Sequence, residues 1–274
     1  MSQYKIVACD LDGTLLDGEK NISKENWEAI RRITEAGAWF VPSSGRSSGD
    51  MPSELIESPY VRFLIHSDGA AIYDKETGKS IRFSLSREQS DLLMDIVLEY
   101  EAVWIMLHDG HTVMDGATES HEYYRYHNMS REWIDFSDDH YEHIDGFYEY
   151  CRSVDGIDML CPFFHSSAER QECAARLRAL GFAVATSDPH NLEIYDPRAG
   201  KGNALRHLAE MLEVDMSQTI GVGDSPNDSE MVRAAGLGLA VGNAYEELKR
   251  IADAVICRND EHVIRYIWEQ YFEN

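Results

Sequence analysis

Asp10 and Asp12 stand one residue apart, directly after the apolar run Ile6-Val7-Ala8-Cys9. Two anions so close repel each other unless a cation sits between them or one is kept protonated. Three other polar clusters follow apolar runs or open a helix: Ser43-Ser44-Gly45-Arg46, Lys201-Gly202, and Gly223-Asp224-Ser225-Pro226-Asn227-Asp228. Their chemistry is complementary. Asp10, Asp12 and Asp224 offer hard oxygen ligands of the kind Mg²⁺ prefers. Ser44 offers a hydroxyl, Gly45 an approachable backbone N–H, and Lys201 a compact positive charge for a phosphate oxygen. Together the parts fit a metal-assisted phosphoryl-transfer site.

Such a site needs elements that bring the four clusters together. The Ile6–Cys9 run reads as a buried strand. Ser23 is placed as the N-cap of a helix carrying Trp27, Ile30 and Ile33, and Gly37 ends that helix. Trp39-Phe40-Val41 and Arg62-Phe63-Leu64-Ile65 read as further strands, and the segment Ala70 to Phe83 as a hairpin around Glu76-Thr77-Gly78-Lys79. Strand–helix alternation of this kind implies a parallel sheet, and ligands of such sheets bind outside the carboxyl ends of the strands. From about residue 84 the character changes. Ser86-Arg87-Glu88-Gln89 resembles a capping box, Val103 to Leu107 a strand, Ser166 the start of a helix ending at Gly181, and Phe182 to Ala185 another strand. From about 189 the first style returns: Leu205, Leu208 and Leu212 stripe a helix beginning near Lys201, and strands are expected at Thr219, Leu237 and Asp253. The expectation is a Rossmann-like doubly wound α/β core, residues 1–83 and 189–274, split by an inserted α+β domain, residues 84–188.

The composition of the 274 residues is that of ordinary globular protein, 43% hydrophobic and 27% charged. A formal net charge of −24 repels nucleic acid and anionic membrane surfaces, and equally serves solubility. Five cysteines without a C-x-x-C pair fit reduced thiols and a cytoplasmic location better than a disulfide framework or a zinc site. No apolar stretch approaches the roughly 18 residues of a membrane span, and no signal peptide is expected.

Taken together, Asp10-x-Asp12-Gly13-Thr14, Ser44-Gly45-Arg46, Lys201-Gly202 and Gly223-Asp224-x-x-Asn227-Asp228 resemble, in order and spacing, the four motifs of the haloacid dehalogenase superfamily. The position of the insert resembles the Cof-type branch, with a large α/β cap. The resemblance implies a phosphatase hydrolysing a small phosphorylated metabolite, sugar phosphates being the default class, with Mg²⁺ as cofactor. It implies that Asp10 is the nucleophile, forming an aspartyl-phosphate, and that Asp12 protonates the leaving oxygen and then activates water. For that, Asp12 is expected to hold its proton more tightly than Asp10. Mg²⁺ would be held by the Asp10 side chain, the Asp12 backbone carbonyl and Asp224. Leu11, Ser44, Gly45, Lys201 and Asn227 would contact the phosphoryl group or substrate, with Asp228 supporting Lys201 or a metal-bound water.

One departure from the family pattern is chemical. Where Asn-Gly-Ala is usual after the third strand, this chain reads Asp68-Gly69-Ala70, which adds negative charge beside the site. Arg46 is read as structural, Asp17 and Asp188 as loop acids, and His140-x-x-His143 as a solvated or structural pair. The His108–His111 turn is a candidate for substrate specificity. The tyrosines at 123, 124 and 126 are read as core or cap surface. A phosphotransferase or phosphomutase on the same fold, or a non-catalytic binding protein, remains an alternative. The oligomeric state is not legible.

Overall fold

The computed structural model describes residues 2–118 and 120–273. They form two compact units, one of residues 2–45, 51–81 and 200–273, the other of residues 46–50 and 82–199 except 119.

The first unit is built on a parallel sheet in the spatial order Ala254–Val255, Leu237–Ala240, Thr219–Gly223, Ile6–Cys9, Trp39–Pro42. Ile6, Val7, Ala8 and Cys9 are all fully buried. Such a continuous apolar run suits a central parallel strand with both faces covered. The helix Lys24–Glu35 leads from this strand to Trp39–Pro42 on one side, while Thr219–Gly223 pairs on the other. The strand order therefore switches at Ile6–Cys9, where α/β sheets bind ligands. The Ser23 hydroxyl caps the helix by accepting from the Asn26 N–H at 3.2 Å, and Gly37, at φ +82°, follows its C-terminus, both as expected. Phe63–His66 and Ala71–Asp74 pair antiparallel, Lys79–Arg82 extends that sheet, and a single bridge between Ser43 and Ile65 joins it to the parallel strands.

The second unit is an α+β layer. Its sheet runs in the order Ala183–Ala185, Glu193–Tyr195, Met159–Phe164, Ala102–His108, His111–Asp115, Glu142–Ile144. Helices Arg87–Val97, Phe147–Ser153 and Ser167–Ala179 contribute Leu93, Met94, Cys151, Cys173 and Leu177 to a core shared with Trp104, Leu160 and Ile194. The capping box at Ser86 and Gln89 is present. Asp109 and Gly110, both at positive φ, form the two-residue turn that pairs His108 with His111, the geometry of a primed hairpin turn.

The segment boundaries differ from the expected ones in three places, the smallest being that Arg82 and Phe83 fall in the second unit. Glu193–Tyr195 pairs with Met159–Phe164 and Ala183–Ala185, so the chain leaves the second unit after Ala199 rather than at 188. Residues 46–50, expected with the core, pack with the second unit. Among the described residues no helix is long and apolar enough to cross a membrane.

Candidate active site

The first unit brings the four motifs together at the carboxyl ends of its parallel strands. Cys9 is level with Val222 on one neighbour and Pro42 on the other, so Asp10, Ser43-Ser44 and Gly223-Asp224 all emerge at one edge. The Asp10 N–H donates to the Val222 carbonyl at 3.0 Å, and the Ser44 N–H to that of Ile65 at 3.0 Å. The helix Lys201–Met211 begins at Lys201 itself, so the lysine projects from its first turn.

Lys201 is 1% exposed, and its ammonium donates at 2.7 Å to Asp10 Oδ1 and at 2.7 Å to Asp228 Oδ1, with Asp68 Oδ1 at 4.0 Å. Burial alone would push this ammonium down, but Asp10, Asp228 and Asp68 more than offset it and hold it well above its ordinary value. Asp10 is driven the other way. Burial, then Asp228, and more weakly Asp224, raise its carboxyl well above the usual range, against the opposing pull of Lys201. Asp224 is pushed up to about 7, by burial first and Asp228 next, while Lys201 and the Thr14 hydroxyl at 3.2 Å act to lower it.

Asp10, Asp224 and Asp228 each offer a carboxylate oxygen within 4.8 Å of the others. Asp228 has both oxygens engaged: Oδ1 accepts from Lys201, and Oδ2 accepts from the Asp224 and Ser225 backbone N–H groups at 3.0 and 3.1 Å. Asp10 Oδ2 is buried and accepts no hydrogen bond among the described residues. A Cβ on Gly13, which is at φ +81°, would lie 2.6 Å from Asp224 Oδ2, so only glycine leaves room beside that carboxylate. An all-oxygen set with one orphaned buried oxygen, and two carboxyls raised by mutual repulsion and burial, fits a hard divalent cation. Asp10 and Asp224 could hold it. Asp228, satisfied by its own partners, positions Lys201 and the Asp224 turn.

Asp12 is placed differently from the trio. Its side chain pairs with Lys20, 2.7 Å from Oδ1, and is 38% exposed. In the polypeptide alone burial works against an ionised Asp10. A cation beside Asp10 would favour its ionised form and reverse that shift. Leu11 is fully buried, and its carbonyl accepts from the N–H groups of Thr14, Leu15 and Leu16, which leaves its backbone N–H as the group able to face a phosphoryl oxygen. Ser44 is 2% exposed, and its carbonyl accepts from the Asp68 N–H at 3.0 Å. The Asn227 amide donates to Asp68 Oδ1 at 3.1 Å.

Asp68 is thus a full member of the site, fully buried between Asn227 and Lys201. It sits at φ +54° between Ser67 at +49° and Gly69 at +85°, a turn of three left-handed residues. A Cβ on Gly69 would meet the Gly200 carbonyl carbon at 2.3 Å and the Lys201 nitrogen at 2.6 Å, so this turn and the start of the lysine helix touch backbone to backbone. Two supporting residues escaped the sequence reading. Asn243 donates to the Gly13 carbonyl at 2.7 Å and braces the first motif. Its signal was available, a polar residue just past the Leu237–Ala240 strand. Lys20 carried none, being one loop lysine among several.

Several histidines of the second unit have protein partners. His140 stacks on Phe136 with ring centroids 4.0 Å apart, and His143 Nε2 lies 3.2 Å from the Tyr124 hydroxyl. Tyr124 is fully buried, whereas Tyr126 is exposed and stacks on His165. His108 Nδ1 lies 2.6 Å from the Gly156 carbonyl, beside Arg82 and the buried Asp158.

A buried aspartate gripped by lysine at the switch point of a parallel sheet, with a second acid two residues on and two further aspartates from a later strand end, is the arrangement of one hydrolase class. A sequence profile of the haloacid dehalogenase-like hydrolases matches residues 7–267, and the chain belongs to that family. Among characterised sequences it is similar to phosphatase YwpJ of Bacillus subtilis, 31% identical with 96% of this chain and 98% of that one covered. It is also similar to the B. subtilis 5-amino-6-(5-phospho-D-ribitylamino)uracil phosphatase YwtE, 28% identical over 97% of each. Among solved structures, a haloacid dehalogenase-like hydrolase from B. subtilis superposes with a TM-score of 0.82 at 27% identity, covering 97% of this chain and 99% of the other. The resemblance read from the four motifs, and the α/β fold expected with it, hold over nearly the whole chain.

Proposed function

We propose that this protein is a Mg²⁺-dependent phosphatase that hydrolyses a small, sugar-phosphate-like metabolite through an aspartyl-phosphate on Asp10. The observation that carries this reading is the Asp10 carboxylate itself, buried, with one oxygen on Lys201 and the other without a donor. Family membership and the phosphatase relatives support the reaction class. The phosphoribityl substrate in the name of one relative supports the substrate class.

An Asp10 oxygen attacks phosphorus and the bond to the leaving oxygen breaks, while Asp12 gives its proton to that oxygen. Asp12 then takes a proton from water, whose oxygen attacks the same phosphorus, and the Asp10–phosphorus bond breaks. Lys201 balances charge on the transferring group from a position fixed by Asp228, so little reorganisation is needed at the moment of reaction. The Ser44 hydroxyl, the Leu11 and Gly45 N–H groups and Asn227 orient the phosphoryl oxygens. Mg²⁺ held by Asp10, Asp224 and the Asp12 carbonyl would neutralise phosphoryl charge and favour ionised Asp10. The test is hydrolysis of an aryl phosphate with Mg²⁺ in ¹⁸O-labelled water. A phosphatase places the label in released phosphate, and Asp10→Asn abolishes turnover. Transfer of the phosphoryl group to an added alcohol, in place of labelled phosphate, would favour a phosphotransferase. Undiminished activity of Asp10→Asn would refute the nucleophile.

A further inference from the structure

The register of the two central strands of the first unit ends at Cys9 and Val222. Past that point the spacing between the first-motif turn and Asp224 depends on what ties the two segments together. One tie is direct, from Thr14 Oγ1 to Asp224 Oδ1 at 3.2 Å. A second runs through the loop that follows the Leu237–Ala240 strand. On one side of this loop the Val241 and Tyr245 N–H groups donate to the Gly223 and Asp224 carbonyls at 3.2 and 2.8 Å. On the other side the Asn243 side chain donates to the Gly13 carbonyl at 2.7 Å. Asn243 Oδ1 in turn accepts from the Asn259 N–H at 2.9 Å, and the Asn259 side chain donates to the Leu16 carbonyl at 2.9 Å. The Gly242 N–H donates to the Cys257 carbonyl at 3.0 Å and fastens the loop to the segment that carries Asn259. The two asparagines thus take the carbonyls at either end of the Gly13–Leu16 turn. All of these groups belong to the first unit.

We infer that Asn243 and Asn259 are positioning residues for the cation-binding groups: with the 241–245 loop they fix the first-motif turn close against Asp224, and so favour Mg²⁺ over the larger Ca²⁺. This rests on the Mg²⁺ reading of Asp10, Asp224 and the Asp12 carbonyl. A side-chain amide engaged at both its oxygen and its nitrogen cannot turn without giving up two hydrogen bonds. Asn243 is held in this way, and it grips the carbonyl one residue beyond that of Asp12. The approach it maintains is close, since a Cβ on Gly13 would lie 2.6 Å from Asp224 Oδ2. Mg²⁺ demands near-octahedral oxygens at about 2.0–2.1 Å, whereas Ca²⁺ accepts about 2.3–2.6 Å and looser geometry. A close, fixed spacing discriminates between the two cations, and a relaxed one does so less.

The test titrates the full chain with MgCl₂ and with CaCl₂ in the absence of substrate, by isothermal calorimetry, and records Tm without added cation. Asn243→Ala removes the tie to Gly13. Asn259→Ala removes only the donor to Leu16 and keeps the backbone N–H that Asn243 uses, so it serves if Asn243→Ala fails to fold. Loss of a group that orients metal ligands costs about 10- to 100-fold in affinity. Asn243→Ala is therefore expected to raise the Kd for Mg²⁺ about tenfold or more, and Asn259→Ala to raise it by a smaller factor. In both variants the Kd for Ca²⁺ is expected to rise less than that for Mg²⁺, so the preference between the cations narrows. A lower Tm with both Kd values as in the wild type, or Mg²⁺ and Ca²⁺ weakened by the same factor, would overturn the inference and leave the asparagines with a purely structural role. Wild-type protein that binds neither cation would refute the Mg²⁺ reading and the inference with it. Wild-type binding that the variants match would refute the inference alone.

Discussion

Asp68→Asn isolates one charge with little change of shape. The carboxylate is fully buried, 4.0 Å from the Lys201 ammonium, and Oδ1 accepts from the Asn227 amide at 3.1 Å. Asparagine retains a carbonyl oxygen for Asn227, so the turn is expected to survive. What is lost is one negative charge beside a cation already serving Asp10 and Asp228 at 2.7 Å each. At an effective dielectric of 20 two unit charges 4 Å apart interact by about 4 kcal/mol, a ceiling for this pair. Lys201 stays protonated in the variant, because its two shorter carboxylate contacts remain. If a third of that attraction is redirected to an incoming phosphoryl dianion, affinity rises about tenfold, since roughly 1.4 kcal/mol is a factor of ten. The expected result is a KM for an aryl phosphate lowered about tenfold, with kcat changed far less. Steady-state kinetics at saturating Mg²⁺ measures both. A KM that rises, with the fold intact by circular dichroism, would refute the electrostatic reasoning and make Asp68 a substrate-binding group in its own right.

Other outcomes follow from the same geometry. Gly69→Ala combines a backbone at φ +85° with a Cβ 2.3 Å from the Gly200 carbonyl carbon, so chemical denaturation should show a loss above about 2 kcal/mol and activity should fall with it. Lys201→Met leaves Asp10 and Asp228 buried without their cation; breaking such a pair costs about 3–5 kcal/mol, and unfolding across pH should show the loss growing as pH rises, because at low pH the carboxyls take up protons instead. In the metal-free protein, Asp10 and Asp224 hold protons that the unfolded chain releases near pH 4, so stability should decline as pH climbs from about 4 through about 7. A divalent cation competes with those protons, so the rise in Tm on adding Mg²⁺ should grow over the same interval; an increment that is constant or shrinks with pH would contradict the assignment of Asp10 and Asp224.

The residues that line the site were legible because each follows a strand or opens a helix. Asp10, Ser44 and Asp224 are fixed by parallel register, and Lys201 by the helix it begins, so local pattern and sheet topology together place them. Partners reached through loops were not legible. Lys20 meets Asp12 across a surface turn, and Asp50 meets Thr112 across more than sixty intervening residues, with no periodicity to announce either. Glu193–Tyr195 was misplaced for a related reason. It is a strand of three residues just ahead of the Lys201 motif, and only its partners Ala183–Ala185 and Met159–Phe164 reveal its sheet. Asp68 was noticed as a departure from the family pattern, but its contacts with Asn227 and Lys201 depend on a left-handed turn that residue types alone do not dictate.

The central claim is that Asp10 carries the phosphoryl group. Rapid acid quench of the Mg²⁺-loaded protein during turnover of an aryl phosphate, followed by peptide mass spectrometry, tests it directly. The account predicts one added phosphoryl group on the peptide containing Asp10, absent in Asp10→Asn and more persistent in Asp12→Asn, whose water attack lacks its base. A phosphoryl group on another residue, or full turnover with none on Asp10, would contradict it.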